Sequence, residues 1–415
     1  MVDRSLVARS TAWVAAASGM LGVLDLVTTL LCVRLWVTKA DFGAATLAIA
    51  LFPILDRLGG MGFGTALVRE PEAEHTVFWL NLATALAVLA ALLGVHPVLA
   101  HAFDPPIVAS LLAAYGVRLV IQTGSVVPEA RMKRALRFHE LSLIRVTAGI
   151  AETITKLGLA YRGEHIWCFA AGPIVNTAVT TLAIQLRSPW RPRAVFDRAI
   201  ARRALGFTAA LSGGELLYYV YTSADYLVIG ATFGDAAVGV YRLAYELVLD
   251  VVRLISMITN EVAYPVLVQT ERGELARVFL RFTRQNALLL APFLVVVAIA
   301  GGPLLTLLYG PMPDSAATAA RILCVVGGLR ALGFVIPPLL AALGRTSRVL
   351  VYNAVAAVVL PAAFVIAARV GSDYTAIAWA WAIGYPIAFA VLLAFALAAL
   401  PLSLGGYLRG LLRRQ

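Results

Sequence analysis

Charged side chains recur inside long apolar segments of the 415-residue chain, where they must either do chemistry or find partners. The basic ones are Arg57, Arg118, Arg145, Lys156, Arg242, Arg253, Arg321 and Arg330. The acidic ones are Asp25, Asp56, Glu152, Glu215, Asp225, Glu246, Asp250 and Glu261. A lone charge at the centre of a bilayer costs about 2.5–3.5 kcal/mol on insertion scales. This many charges therefore predict an interior that is hydrated or internally paired.

Four of the arginines lie close to the middle of four different apolar segments: Arg57, Arg118, Arg253 and Arg330. A guanidinium group keeps its charge, and its planar fork matches two phosphate oxygens at once. We therefore expect these four side chains to be substrate-binding cations in a cavity, suited to a diphosphate group.

A purely structural role remains open for the other cations. Arg145, Arg242 and Arg321 lie near segment ends, from which a long side chain reaches the membrane interface. Two pairs have the spacing of ion pairs within one helix: Arg242 with Glu246, and Asp250 with Arg253.

Three acids inside the apolar segments, Asp25, Asp56 and Glu215, are candidates for ion or proton coupling. A carboxylate withdrawn from water takes up a proton or holds Na⁺ more readily. We expect no cofactor or metal beyond such H⁺ or Na⁺ coupling. Asp56 precedes the glycine-rich stretch 58–64, so a local capping role is its alternative, and the glycines would allow bending or close helix approach.

Polar side chains also form stripes at helical spacing. Those predicted to line a cavity or contact sugars are Tyr219, Thr222, Tyr226, Glu246 and Asp250. At 100° per residue, Arg242, Glu246, Asp250, Arg253 and Glu261 fall within about 100° of arc on one continuous α-helix. Tyrosine rings offer flat faces to sugars, and core packing is the alternative for each of them.

The composition excludes a soluble protein. Hydrophobic residues make up 61% of the chain and charged residues 14%, whereas a soluble protein carries about 25% charged residues. The net charge of +11 follows from the connections between apolar segments and does not indicate a nucleic-acid partner. The three cysteines are isolated in apolar segments and predict neither a disulfide nor a metal site.

The hydropathy pattern predicts an all-α polytopic membrane protein with about twelve transmembrane helices. The predicted helices are Thr11–Val33, Phe42–Val68, Val77–Val95, Ile107–Val127, Leu141–Tyr161, Ile166–Leu186, Leu205–Ala231, Ala237–Leu267, Ala287–Tyr309, Ala316–Leu343, Val349–Ala368 and Thr375–Leu400. They divide into an N-terminal six-helix lobe (1–186), a basic cytoplasmic interfacial linker (187–204), a C-terminal six-helix lobe (205–400) and a basic cytoplasmic tail (401–415).

The positive charges predict the orientation. The connections on the N-terminal side of the membrane carry 22 Lys and Arg residues, and those on the other side carry 4. This asymmetry places both termini in the cytoplasm. We expect the linker to form an amphipathic helix on the anionic inner leaflet, with a solvated loop as the alternative.

The outer connections are short, and the chain has no HExxH, Walker A or GxSxG motif, so we expect no enzymatic activity. The two halves repeat a pattern in which an acid and small residues open a long helix, at Asp41–Ala48 and again at Asp235–Ala244. Such internal repeats are typical of transporters.

Several segments resemble the bacterial oligosaccharide flippases of the polysaccharide transporter family, in the multidrug/oligosaccharidyl-lipid/polysaccharide exporter superfamily. They are Lys39–Gly43, Asp56–Arg69, Ser223–Gly230, Gly239–Ala244 and Tyr264–Leu267. The resemblance implies two six-helix lobes around a central cationic cavity. It implies a flippase that moves polyprenyl-diphosphate-linked oligosaccharides to the outer leaflet of the bacterial cytoplasmic membrane by alternating access, for lipopolysaccharide-type polysaccharide synthesis.

The alternative function is a cation-coupled multidrug or metabolite antiporter of the same superfamily. Its cavity should be dominated by acids, whereas here the acids and bases inside the apolar segments balance. Expected partners of the flippase are the lipid-linked oligosaccharide, the bilayer, a polysaccharide polymerase and glycosyltransferases, and we expect the protein to be a monomer.

Overall fold

The computed structural model describes residues 4–60, 63–64, 67, 71–102 and 106–412, and in these residues the regular structure is entirely helical. The helices are α1 (Arg4–Leu35), α2 (Lys39–Gly60), α3 (Glu74–Ala102), α4 (Ile107–Arg134), α5 (Phe138–Tyr161), α6 (Cys168–Arg187), α7 (Arg198–Phe233), α8 (Asp235–Tyr245), α9 (Val251–Gln269), α10 (Leu275–Tyr309), α11 (Asp314–Gly333), α12 (Ile336–Ala342), α13 (Thr346–Val370), α14 (Thr375–Leu397) and α15 (Leu404–Leu412). A 3₁₀ turn, Pro71–Ala73, precedes α3, and a π-helical segment, Glu246–Asp250, joins α8 to α9. The predicted all-α class is confirmed.

Ten helical segments in the described part of the chain are long and apolar enough to cross a membrane. They match ten of the twelve predicted spans. Helices suit this environment because they close their own backbone hydrogen bonds where no water is present. The other two predicted spans form α5 and α7, which are long enough but more polar; α5 contains Glu140, Arg145, Glu152 and Lys156. The chain is a multi-pass membrane protein, and the count of twelve stays a prediction.

The chain forms two compact units. Unit 1 comprises the described residues of Met1–Tyr219 together with Gly234–Gly239, and unit 2 comprises Val220–Phe233 and Val240–Gln415. In unit 1, α1 packs on α5, α5 on α6 and α3 on α4. In unit 2, α10 packs on α11, α13 on α14, and α11 on α14. The fully buried Trp381 and Phe364 lie in the core of unit 2.

Two helix starts cross closely within unit 1, and these are the two starts that carry the repeated sequence pattern. A Cβ atom added at Gly43 of α2 would overlap the carbonyl group of Asp235 at the start of α8. A Cβ atom added at Gly239 would likewise overlap the carbonyl group of Lys39. Glycine at both positions is therefore required for the backbones to approach this closely.

Only the last part of the helix expected in the linker is present, and it is the start of α7 rather than a separate element. Residues 188–197 are not helical, and helix begins only at Arg198, the first residue of α7. Pro189 and Pro192 explain the difference, since proline lacks an amide hydrogen and disfavours helical geometry in the residue before it. Asp197 then caps α7 by accepting hydrogen bonds from the backbone N–H groups of Ala199 (2.7 Å) and Ile200 (3.1 Å).

Instead, the non-helical part of the linker packs against the start of α3. Trp79 Nε1 donates to the carbonyl oxygen of Arg193 (2.8 Å), and the backbone N–H of Arg193 donates to His75 Nδ1 (3.1 Å). The ring of Trp190 stacks on His75 with 5.4 Å between centroids. Side-chain contacts therefore fix this segment without helical hydrogen bonds.

Part of the predicted second span lies outside the described residues. Helix α2 ends at Gly60. The prediction that the glycine-rich stretch allows bending falls partly on Met61 and Gly62, and the family-like segment Asp56–Arg69 partly on 61–62, 65–66 and 68–69, none of which the structure describes.

Candidate functional site

The structure brings one predicted cavity cation and one predicted coupling acid together in unit 1. Arg57 at the end of α2 lies with Nε 2.9 Å from Oε2 of Glu215 on α7. Both side chains are partly exposed, at 29% and 51%. The two charges therefore neutralise each other in this conformation.

Arg118 of α4 is held without a carboxylate. Its Nε donates to Oγ1 of Thr177 on α6 (2.8 Å), and its guanidinium carbon lies 4.3 Å from the centre of the Phe52 ring. No acidic oxygen lies within 4 Å of this guanidinium in the part of the chain that the structure describes. The positive charge of Arg118 thus remains available to an anion.

Asp25 of α1 is paired with Lys156 of α5, which sequence analysis did not select. Lys156 Nζ lies 2.7 Å from Asp25 Oδ1 and 2.8 Å from Glu152 Oε1. Asn176 Nδ2 donates to the other oxygen of Glu152 (2.9 Å). The lysine side chain is 7% exposed and that of Asp25 is 64% exposed. A buried cation between two acids is a stable arrangement only while the acids stay ionised.

The third predicted coupling acid, Asp56, lines a cavity in unit 1 together with Arg57. The same cavity is lined by the polar side chains Asn81, Gln122, Glu129 and Lys133. None of these four was selected from the sequence, because each reaches the cavity only through the packing of α3 and α4 on α2.

In unit 2, Arg330 of α11 lies among aromatic rings. Its guanidinium carbon is 4.6 Å from the centre of the Trp381 ring, 5.5 Å from that of Tyr385 and 5.9 Å from that of Tyr245. Its Nη1 also donates to the hydroxyl oxygen of Tyr245 (3.2 Å). Aromatic faces attract a cation, so these rings orient the guanidinium of Arg330.

Asp225 anchors this aromatic group, and sequence analysis counted it among the acids without selecting it. It is fully buried and accepts hydrogen bonds from Trp381 Nε1 (2.9 Å), the hydroxyl of Tyr241 (3.1 Å) and the backbone N–H of Tyr226 (2.9 Å). The signal that could have revealed it is an acid inside an apolar segment flanked by tyrosines. The indole of Trp381, which donates to Asp225, is also the ring that lies against Arg330.

A second charged group in unit 2 surrounds Arg242 of α8. Its Nη2 lies 2.9 Å from Asp250 Oδ2, and its Nε lies 3.9 Å from Glu246 Oε2. Its Nη1 donates to the hydroxyl of Tyr226 (2.9 Å). Arg253 reaches the other oxygen of Asp250 at 3.4 Å, and its side chain is 52% exposed. Both ion pairs expected within the helix are present.

The continuous α-helical arc expected for Arg242 through Glu261 is wrong. Residues Glu246–Asp250 are π-helical, so each turn there contains more residues than an α-helical turn. The angles calculated at 100° per residue therefore do not carry across this segment, and Arg253 and Glu261 are rotated relative to Arg242. Such π segments are frequent at functional sites.

The remaining predicted lining residues have mixed environments. Tyr226 is buried, and its ring meets those of Tyr241 and Tyr245 edge-on at 5.8 and 5.6 Å. Tyr219 packs edge-on against Tyr218 at 5.4 Å, and Thr222 is partly buried. Contact of these side chains with sugars stays a prediction. Of the four predicted cavity cations, Arg57 and Arg118 belong to unit 1, and Arg253 and Arg330 to unit 2.

The amino-acid sequence is similar to those of known bacterial proteins. The chain is 25% identical over 353 residues to the lipopolysaccharide biosynthesis protein WzxC of Escherichia coli (strain K12), covering 82% of this chain and 71% of that protein. It is 25% identical over 370 residues to the teichuronic acid biosynthesis protein TuaB of Bacillus subtilis (strain 168), covering 85% of this chain and 74% of TuaB.

A solved structure shares the fold at low sequence identity. The lipid II flippase MurJ in an inward closed conformation superposes with a TM-score of 0.78 at 14% identity, covering 96% of this chain and 89% of MurJ. The sequence profile of the family described as polysaccharide biosynthesis protein matches residues 33–317, which is more than half of the chain. The protein therefore belongs to the polysaccharide biosynthesis protein family of multi-pass membrane proteins.

Proposed function

We propose that this protein is a flippase that moves polyprenyl-diphosphate-linked oligosaccharide units from the inner to the outer leaflet of the bacterial cytoplasmic membrane. The family membership supports a role in polysaccharide synthesis, and the relatives WzxC and TuaB are both named for biosynthesis of cell-surface polymers. Transport proceeds by alternating access, and the protein changes the location of its substrate without breaking a covalent bond.

The observation that carries the proposal is the environment of the arginines. Arg118 is held by a threonine hydroxyl and a phenyl ring, and Arg330 by aromatic rings and a tyrosine hydroxyl. Both arrangements orient a guanidinium within a membrane helix. A diphosphate needs such cations, because its own charge is otherwise costly to bring into the membrane.

Coupling to an ion gradient is part of the proposal. Glu215 is partly exposed beside Arg57, and Asp25 is exposed beside Lys156. Protonation or Na⁺ binding at either carboxylate would weaken its ion pair and so alter the charge of unit 1. We expect Asp25→Asn and Glu215→Gln proteins to lose part of the dependence of transport on an imposed pH or Na⁺ gradient. Full retention of that dependence in both variants would exclude these two acids.

The 22 to 4 distribution of Lys and Arg supports cytoplasmic termini. The protein acts as a monomer and delivers its substrate to a polymerase on the far side of the membrane, after glycosyltransferases have built the oligosaccharide on the cytoplasmic side.

The direct test is reconstitution into liposomes with a fluorescent polyprenyl-diphosphate oligosaccharide, whose leaflet position is followed by quenching. We expect faster exchange than in empty liposomes, and markedly slower exchange with Arg118→Ala than with the wild-type protein. Arg162→Ala, at an exposed site, is the matched control and should exchange normally. Absence of exchange with several lipid-linked sugars, together with cation-coupled efflux of drugs, would favour the antiporter.

A further inference from the structure

A proline inside α6 fastens this helix to α4 close to Arg118. Pro173 has no N–H, so the carbonyl oxygen of Phe169, one turn earlier, lacks the donor that an α-helix normally supplies. The hydroxyl of Tyr115 on α4 donates to this carbonyl oxygen instead (2.9 Å). Tyr115 is 2% exposed, so the hydrogen bond lies in the interior of unit 1.

Thr177, one turn after Pro173, contacts Arg118 itself. Its hydroxyl donates to the carbonyl oxygen of Pro173 (2.9 Å), and its Oγ1 accepts from Nε of Arg118 (2.8 Å). A hydroxyl group has a single hydrogen, so the bond to Pro173 leaves Oγ1 free only to accept. Thr177 is 7% exposed, and water therefore competes little for this oxygen.

Phe52 of α2 packs against both Tyr115 and Arg118. The centres of the Phe52 and Tyr115 rings are 4.7 Å apart, with 35° between their planes. The guanidinium carbon of Arg118 lies 4.3 Å from the centre of the same Phe52 ring. Because residues three positions apart are neighbours on a helix, Tyr115 and Arg118 reach this ring together. The bond that holds Tyr115 thus also supports the ring on which Arg118 lies.

These contacts engage Nε of Arg118 and leave its two Nη atoms. Among the described residues, neither Nη atom has a hydrogen-bond partner, and the side chain is only partly buried. A guanidinium holds two oxygens of one anion either through Nε and one Nη or through both Nη atoms. Since Nε is bonded to Thr177, the arrangement through both Nη atoms is the one that remains.

We infer that Thr177, Tyr115 and Phe52 are positioning residues, which present Nη1 and Nη2 of Arg118 together to two oxygens of one phosphate group of the substrate. This inference rests on the proposed function. The planar fork of a guanidinium matches phosphate oxygens, whereas the ammonium group of lysine acts as a point charge. We therefore expect Arg118→Lys to weaken substrate binding although the charge is retained.

The measurement is equilibrium binding of fluorescent polyprenyl diphosphate to the purified protein in detergent, followed by anisotropy. The uncharged polyprenol of the same length reports binding of the lipid tail alone. Thr177→Val removes the hydroxyl at similar size and should weaken diphosphate binding by about three- to tenfold, as expected for loss of one hydrogen bond. Thr177→Ser retains the hydroxyl and should bind like the wild-type protein. Tyr115→Phe should have a smaller effect than Thr177→Val, because Tyr115 acts through Phe52.

Thr155→Val is the matched control. Thr155 of α5 also donates to the carbonyl oxygen four residues earlier, that of Ala151 (2.8 Å), and it does not contact Arg118. Its replacement should leave diphosphate binding unchanged. An equal loss in the Thr155→Val and Thr177→Val proteins would overturn the positioning role.

A double-mutant cycle separates positioning from a general effect on folding. In a protein that already carries Arg118→Ala, Thr177→Val should have no further effect on diphosphate binding, because no guanidinium is left to orient. The other three candidate arginines should keep the remaining binding measurable. Additive losses in the cycle, or equal binding by the Thr177→Val and Thr177→Ser proteins, would overturn the positioning role.

Leaflet exchange of a fluorescent polyprenyl-diphosphate oligosaccharide in liposomes distinguishes this inference from the proposed function. Exchange by the wild-type protein, with unchanged binding in the Thr177→Val protein, would overturn the positioning role and leave the flippase intact. Absence of exchange, with the expected losses of binding, would overturn the flippase and leave the phosphate contact. Equal wild-type binding of polyprenyl diphosphate and polyprenol would overturn the phosphate contact.

Discussion

Cations inside unit 1 lie mainly beside carboxylates, whereas Arg330 of unit 2 lies among aromatic rings. Lys156 lies between Asp25 and Glu152, and Arg57 lies beside Glu215. Arg330 instead lies against Trp381, Tyr385 and Tyr245. An ion pair cancels charge, while a ring face orients a cation and leaves its charge in place. The same residue type can therefore support folding in one unit and ligand binding in the other.

Arg118, Arg242 and Arg253 are the exceptions that define this difference. Arg118 belongs to unit 1 but lies on the Phe52 ring, and Arg242 and Arg253 belong to unit 2 but pair with Asp250. If the contacting groups decide what a cation does, substitution of Arg118 should slow transport, as expected for Arg330. Substitution of Arg242 should lower stability, as expected for Lys156. The unit to which a residue belongs would then matter less than its immediate surroundings.

The largest effect on stability is expected at Lys156. Lys156→Ala leaves Asp25 and Glu152 as facing acids without their shared cation, which should lower the free energy of unfolding by about 3 kcal/mol. Denaturant unfolding in detergent measures the change. Lys156→Ala combined with Glu152→Gln should recover part of the loss. A decrease below about 1 kcal/mol in the single variant would show that carboxylates do not hold unit 1 together in this way.

The largest effect on transport is expected at Arg330. Arg330→Ala should slow leaflet exchange by roughly 10- to 100-fold, the effect of losing a hydrogen bond between charged groups, with protein abundance unchanged. Arg57→Ala should have a smaller effect, because Glu215 already neutralises that charge. Equal losses in the two variants would remove the functional distinction between an arginine beside a carboxylate and one among aromatic rings.

A smaller effect is expected for the support of the Arg330 environment. Trp381→Phe replaces the indole by a smaller aromatic ring and removes the N–H that donates to the buried Asp225, which should cost about 1.5–3 kcal/mol of stability. Trp379→Phe, two residues away on α14 and exposed, is the matched control and should change little. Thermal unfolding of the two proteins side by side compares them, and similar melting temperatures would argue against the anchoring role.

The smallest effect is expected for an exposed ion pair of unit 2. Arg277 Nη1 lies 3.1 Å from Glu274 Oε1, with both side chains more than 60% exposed. Glu274→Ala should change stability by less than about 0.5 kcal/mol, because water screens such pairs. A loss comparable to that of Lys156→Ala would mean that burial does not decide the strength of these pairs.

Much of the architecture could be predicted from hydropathy alone. Ten predicted spans match helices of sufficient length and apolarity, because the requirement for about 20 apolar residues is local. The failures were also local in origin. The expected interfacial helix of the linker did not form as a separate element, because Pro189 and Pro192 keep its first part non-helical and its last residues belong to α7. The arc through Arg253 was broken by the π-helical turn at Glu246–Asp250.

The candidate site could be predicted only in part. Arg118 and Arg330 were identifiable as charges that a membrane would otherwise exclude. Asn81 carries no such signal, since an uncharged amide in an apolar segment is unremarkable until its packing is known. Asp225 was visible as an acid, but its importance depends on the indole of Trp381, which is 156 positions away in the chain.

The sequence by itself determined that this chain is a helical membrane protein with more charge inside its apolar segments than lipid tolerates, because hydropathy and charge belong to individual residues. It also carried the family resemblance through short motifs. Only the tertiary structure decided which charges cancel and which persist. Asp25 and Lys156 are 131 positions apart and meet through the packing of α1 on α5. Arg118 on α4 meets the hydroxyl of Thr177 and the ring of Phe52 through the packing of α4 on α6 and on α2.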